Sequence, residues 1–323
     1  MDALSEILRA VHLTGAIFIH ARFTAPWCYQ SPCADSVAPL LESGAERVMI
    51  FHLVTEGECV VELDSQPPMR LDAGDVIVLP HGDAHQIGST PGLTPASGVR
   101  LDAVLLRRPR QLNYGGGGPA TRIVCGYLAC DTRLARMLLT GLPSLLRVNL
   151  RGSNAGAWLE TLVRYALAEA RSPRPGGAGV LAKLAELLFI EVLRLYMSEQ
   201  SAGRTGWLAG ASDRIVGPAL SALHSRPAHA WTLEALAREV GTSRSVLAER
   251  FHHLAGSTPM QYLTQWRMLL AANLLRRSSA TLTRIAEDVG YRTDTAFSRA
   301  FRREFGSPPA AWRRNHVARE LVR

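Results

Sequence analysis

In the last third of the chain, apolar residues recur with a helical period, and the whole pattern is written twice. Leu233, Leu236, Ala237, Val240 and Gly241 return 49 residues later as Leu282, Ile285, Ala286, Val289 and Gly290. After one inserted residue, Ser243, Leu247, Phe251, Gly256, Pro259 and Tyr262 return at an offset of 50 as Thr293, Phe297, Phe301, Gly306, Pro309 and Trp312. An offset that is held across eleven positions and changes once, inside a turn, marks a repeated supersecondary unit. Each copy predicts helix, tight turn, helix, over 233–254 and 282–305. Small Ala237 and Ala286 let the two helices of a copy cross closely. Gly241 and Gly290 follow the last apolar residue of the first helix, where a left-handed cap suits glycine. Ser243 and Thr293 are placed to N-cap the second helix. That helix turns Leu247, Phe251 and Leu254 inward in the first copy and Phe297, Phe301 and Phe305 in the second. A joining helix over about Met260–Arg277 carries Trp266, Leu269, Leu270, Asn273 and Leu274 on its inner side. This is the pattern of a helix-turn-helix that lays its second helix in a DNA major groove. One copy alone would read equally well as a packing hairpin; two in register favour the DNA reading.

The first two thirds follow a different period. From about Arg47 to Leu128, short apolar runs (Val48–Val54, Cys59–Leu63 and Val76–Leu79) are separated by Glu56-Gly57, Pro67-Pro68 and Ala73-Gly74-Asp75. Closely spaced strands punctuated by turns predict a small antiparallel barrel or jelly roll. After Cys130 the pattern turns helical, with Thr132–Leu139, Trp158–Ala170 and Val180–Met197. In the last of these, Lys183, Glu186, Ile190 and Arg194 mark a narrow outward stripe beside a wide apolar surface. Ser198–Ser212, rich in small residues, reads as a linker. The fold class expected is therefore α+β, with domains at 1–197 (barrel about 20–130, helices 131–197) and 213–316 joined by the linker 198–212.

Charge divides the chain at the same place. Residues 212–323 hold 17 Arg, no Lys and 9 Asp+Glu, whereas residues 1–211 hold 19 Lys+Arg and 19 Asp+Glu. The net +8 of the chain thus sits entirely on the repeated segment, a localised field suited to a polyanion.

Residues 212–316 resemble the DNA-binding domain of the AraC/XylS family of bacterial transcription regulators, through TLEALAREVGTSRSVLAERF and RIAEDVGYRTDTAFSRAFRREFGSPPAAWR. The resemblance implies two helix-turn-helix units, joined by a long helix, entering successive major-groove segments on one face of double-stranded DNA. With Leu247 and Phe251 inward, helix geometry exposes Arg244, Ser245, Ala248 and Glu249 on the first reading helix. Asp294, Thr295, Ser298 and Arg299 are their counterparts on the second. Arg299 is the leading candidate for a base contact, since a guanidinium can hold guanine O6 and N7 together. Arg302 and Arg303 lie further along and are assigned to phosphate. The family also implies contact with RNA polymerase and activation, although repression is compatible with the same residues.

GDVIVLPHGDAH fits the second half-motif of the cupin family through Gly74, Pro80, Gly82 and His85. The first half-motif is incomplete, with only His52 and Glu56 in FHLVTEGE. His52, His81 and His85 are candidate ligands for a divalent transition metal, with zinc, copper and iron all open; capping and core roles are the alternatives for them. APWCYQSP, FHLVTEGE, RIVCGYL and VLAKLAELLFIEVLRLY, together with the half-motif, resemble cupin-containing AraC regulators, some of which sense reactive chlorine or other oxidants through cysteines. Cys28 and Cys125 are the candidate redox sensors, against a reading as buried packing residues. Cys59 alternates inward with Val61 and Leu63 and reads as packing. Five cysteines do not make a fully paired framework, and no apolar run reaches membrane-spanning length.

The expectation is a cytoplasmic, signal-responsive DNA-binding regulator and not an enzyme; the family resemblance implies a homodimer through the long apolar helix, and core packing is the alternative role for that helix. A cupin-type metalloenzyme fused to a DNA-binding domain is the alternative. A DNA-alkylation-repair sensor would need four clustered zinc cysteines, which this spacing does not resemble.

Overall fold

The computed structural model describes residues 2–10, 14–34, 36, 38, 47–64, 66–95, 110–130, 139, 141–151, 156–172, 174–199 and 205–320. Two compact units emerge: Met1–Val11, Arg136–Gly141 and Ser201–Arg323 form one, and His12–Ala135 and Leu142–Gln200 form the other.

Among the described residues, the second unit has ten strands in two sheets. Its strands are β1 (Thr14–Thr24), β2 (Cys28–Ser31), β3 (Arg47–Glu56), β4 (Glu58–Leu63), β5 (Met69–Asp72), β6 (Asp75–Leu79), β7 (His85–Gly88), β8 (Arg110–Gly115), β9 (Ala120–Cys130) and β10 (Leu146–Asn149). The larger sheet runs β10-β6-β3-β9-β1-β8 and the smaller β2-β7-β4-β5. All pairings are antiparallel except β1 with β8, which is parallel. The period-two alternation places Val48, Ile50 and Val54 of β3 and Ile123, Cys125 and Tyr127 of β9 in one core with Cys59, Val61 and Leu63 of β4. This is the interior between the sheets. Leu53 and Phe51 alternate to the other face of β3 and are buried too, so the larger sheet is covered on both sides. Helices α2 (Gly156–Arg171) and α3 (Gly177–Ser198) supply the outer cover. A Cβ at Gly15 of β1 would lie 3.0 Å from that of Ala185 on α3, so two small residues set the close approach of helix to sheet. The expected helix over Thr132–Leu139 lies outside the described residues but for Leu139.

The first unit is helical: α1 (Ala3–Ala10), α4 (Trp207–Ser212), α5 (Val216–Ser225), α6 (Leu233–Glu239), α7 (Arg244–Ala255), α8 (Pro259–Arg277), α9 (Leu282–Asp288), α10 (Asp294–Phe305) and α11 (Pro309–Glu320). Two features depart from the sequence reading. The N-terminal helix, assigned with the barrel, groups with the C-terminal helices; Ala3, Leu4 and Ile7 bury one face against α5 and α8. The segment read as linker is helical from Trp207 onward. Its composition of small residues concealed an anchor: the Trp207 indole donates to the Tyr262 hydroxyl at 2.7 Å, and that hydroxyl donates to His224 Nε2 at 2.8 Å. His224 stacks on Trp266 at 4.0 Å, and burial pushes its pKa down to about 4. No helix among the described residues is long and apolar enough to cross a membrane.

Candidate functional site

The two helical hairpins form as their residues dictate. Ser243 caps α7 by accepting from Val246 N, and Thr293 caps α10 by accepting from Ala296 N. Gly241 and Gly290 take left-handed φ values of 67° and 85°. Leu247, Phe251, Phe297 and Phe301 are fully buried, with Leu254 and Phe305 at the edge of the same faces. The joining helix α8 buries Trp266 and Leu269 as expected, leaves Leu270, Asn273 and Leu274 half-buried, and turns Met268, Ala271, Ala272 and Leu275 inside as well. It is flanked by a hairpin on each side, so one inner stripe was too few.

Turning these faces inward leaves Arg244, Ser245, Glu249, Asp294, Thr295, Arg299, Arg302 and Arg303 exposed, with Ala248 and Ser298 half-buried. The two exposed surfaces are not electrostatically alike. On α7, Arg244 pairs with Glu234 at 2.7 Å, and Arg250 makes a forked pair with Asp213 at 2.6–3.0 Å. Asp213 also accepts from the amides of Ile215 and Val216 at the start of α5. The Arg250 fork and these amides outweigh burial and hold its carboxyl down at about 2. On α10, Asp294 accepts from Thr283 at 2.7 Å, while Arg299, Arg302 and Arg303 have no carboxylate partner among the described residues. Sequence reasoning missed Val246, an exposed apolar residue in the first turn of α7, of a kind that meets thymine methyl groups.

One residue ties the hairpins together. Arg267 of α8 donates Nε to Pro227 O at 2.7 Å and Nη2 to His229 O at 2.8 Å, and lies 5.9 Å from the Tyr291 ring centroid. A Cβ at Gly290 would meet Ala228 Cα at 2.7 Å, so the turn of the second hairpin seats directly on the loop of the first.

In the other unit, the candidate ligands do not converge. His52 and His85 meet through Nε2 to Nε2 at 2.8 Å, but His81 is elsewhere, its Nε2 donating to Leu142 O at 3.1 Å. The second nitrogen of His52 faces Cys125 Sγ at 2.9 Å, and His85 Nδ1 faces Asp83 O at 2.9 Å. A carbonyl only accepts, so His85 carries its proton on Nδ1. His85 Nε2 then accepts from His52 Nε2–H, and His52 Nδ1 accepts from the Cys125 thiol. The three side chains form a directional line rather than a cage. No group of three or more His, Cys, Asp or Glu among the described residues is disposed to hold a metal ion, so the residues present do not fit the expected metal centre. Two-residue alternation explains why: β3 and β9 pair His52 directly with Cys125, in register, and His81 falls outside the strands. Burial lowers His52 well below its usual range, assisted by His85; burial alone dominates in taking His85 to about 4 and in raising the Cys125 thiol. Cys28 is also buried, 3.8 Å from Gln86 Oε1, and burial with Glu62 raises its pKa. Neither thiol is acidified at rest.

A two-sheet β unit and a basic twin helix-turn-helix unit in one chain define the class, a DNA-binding regulator with a β-rich second domain. The family model described as Cupin matches residues 2–198, and that described as Helix-turn-helix domain matches 236–315. A putative AraC-like transcription regulator of Streptomyces lividans is 35% identical over 275 residues, covering 84% of this chain and 88% of that protein. The chain belongs to the AraC-like transcription regulators: a DNA-binding regulator with a cupin-like N-terminal domain. The RCS-specific HTH-type transcriptional activator RclR of Escherichia coli is 27% identical, covering 97% of each chain. Among solved structures, the DNA-binding domain of AdpA in complex with a target DNA is 34% identical, covers 34% of this chain and 97% of that chain, and has a TM-score of 0.32.

Proposed function

We propose that this regulator reads its operator with α7 and α10 together. Arg244, Ser245, Ala248 and Glu249 face bases from the first helix, and Asp294, Thr295, Ser298 and Arg299 from the second; Arg302 and Arg303 bind phosphate. One observation carries this reading. The two helices have equivalent caps and buried faces, and six of the eight expected reading positions are exposed with Ala248 and Ser298 half-buried, beside guanidinium groups on α10 that have no carboxylate partner among the described residues. Arg299→Ala relaxes preference between duplexes, by about 1–3 kcal/mol at the base it reads. Arg303→Ala weakens all duplexes alike and reduces the salt slope by roughly one. Competition binding against selected and random duplexes across a salt series checks both. Equal losses on both duplex classes for both variants would defeat the assignment. The chain acts in the cytoplasm as a homodimeric activator in contact with RNA polymerase, and not as an enzyme. Leu187, exposed on α3 beside Lys183, supports that helix as the partner-facing surface.

The signal in this reading is an electrophilic oxidant acting on Cys125. The line from Cys125 through His52 to His85 supports it, because His52 Nδ1 is placed to take the thiol proton as sulfur gives up its electron pair. With a hypohalous acid the net change is RSH + HOX → RSOH + H⁺ + X⁻, removing two electrons from sulfur. Thiol and imidazole are both neutral at rest, so the proton moves only when the oxidant arrives. Cys125→Ser abolishes the transcriptional response to such an oxidant, and Cys28→Ser leaves most of it. A full response in both variants removes thiol sensing.

A further inference from the structure

A cleft of about 500 Å3 lies on the outer face of the larger sheet, roofed by α2 and separate from the interior that holds Cys125. Leu53 of β3, Leu150 after β10, and Val163 and Leu167 of α2 give it an apolar wall. Three guanidinium groups line the rest: Arg122 of β9, Arg151, and Arg164 of α2, with buried His20 of β1 between strand and helix. The charges are unequally answered. Arg122 is paired at 2.7 Å with Glu56, the one carboxylate among the described residues that line the cleft. Arg164 donates to the Thr161 hydroxyl at 3.2 Å, and among the described residues neither it nor Arg151 has a carboxylate partner.

We infer that this cleft is a binding site for a small amphipathic carboxylate, its apolar body against Leu53, Leu150, Val163 and Leu167 and its carboxylate between Arg151 and Arg164. A volume in this range with apolar walls and a few placed polar groups is the ordinary form of a small-molecule site. A carboxylate is the anion that a guanidinium holds by two parallel hydrogen bonds. A neutral apolar guest would desolvate two cations without compensation, and an ammonium would meet them with like charge. A strongly hydrated anion such as free phosphate would leave the apolar wall unfilled. The site is independent of the oxidant reading, since none of its lining residues belongs to the Cys125 line.

Titration calorimetry of the full chain with octanoate, octan-1-ol and octylammonium tests this. Octanoate binds and octylammonium does not. The double variant Arg151→Gln/Arg164→Gln loses at least tenfold in octanoate affinity at an unchanged melting temperature, as expected for two exposed side chains. Arg164→Lys, which keeps the charge and loses the fork, falls between. No octanoate binding at millimolar concentration, equal binding of all three probes, or an unchanged double variant would each overturn the assignment. Should the double variant melt early, the graded loss in Arg164→Lys carries the test alone.

Discussion

The two helix-turn-helix units share one scaffold and differ in what they do with their charges. In the first, Arg244 is committed to Glu234 within the unit and Arg250 to Asp213 just ahead of α5, and the first turn of its outer helix offers Ser245 and Val246. In the second, Arg299, Arg302 and Arg303 face outward with no carboxylate partner among the described residues. Repetition thus conserves the geometry that puts a helix in a groove, while the surface is free to diverge. In the proposed reading, the first unit adds apolar contact at Val246 to its paired Arg244, and the second adds guanidinium charge. Their cores diverge as well: α7 packs on an aromatic group that includes a buried histidine, and α10 stacks Phe301 on Phe305 at 4.3 Å.

Removing that stack is the strongest way to break the comparison. Phe301→Ala empties a fully buried site and costs about 3–5 kcal/mol. Chemical denaturation followed in the full chain should show the loss, with DNA binding falling alongside.

The paired glycines sharpen the comparison at a smaller scale. Gly241→Ala meets nothing within 4 Å, so only its left-handed backbone matters, at about 1–2 kcal/mol. Gly290→Ala bears the same backbone cost and also drives a methyl group into Ala228, so it destabilises more. Melting temperatures of the two variants, measured side by side, decide it; a milder effect at Gly290 would contradict the seating of one hairpin on the other.

Acid provides the gentlest probe, because each unit buries histidine. His52 and His85 in the sheet unit and His224 in the helical unit are held below their usual range by burial. The unfolded chain binds protons near pH 6.5 that the folded chain refuses until about pH 4. Stability is therefore full above pH 6.5 and declines as pH falls toward 4 in both units, twice over in the sheet unit. Asp213 adds a later loss, below pH 4, as pH falls toward about 2. His224→Phe should flatten the decline in the helical unit only, in thermal scans between pH 7 and 5.5.

The legibility of the chain followed the range of the interactions involved. Caps, glycine turns and the inward faces of α7 and α10 are local, so spacing alone located Ser243, Thr293, Leu247 and Phe297. Strands β3, β4 and β6 are likewise readable as short apolar runs bounded by turn residues. What escaped was contact between distant segments. The Arg267 tie to the 227–229 carbonyls depends on backbone groups that no side-chain pattern reports. Trp207 looked like linker because its partner, Tyr262, is 55 residues away. The three histidines were grouped by motif spacing, but only strand register could show that His52 faces Cys125 and that His81 turns toward Leu142.

The central claim is that both reading helices engage the same duplex at once. Hydroxyl-radical footprinting of the full chain on a duplex selected from a random pool addresses it directly. The account predicts two protected major-groove segments one helical turn apart, of which Arg299→Ala weakens only one. Protection of a single segment, or a footprint insensitive to salt, would contradict it.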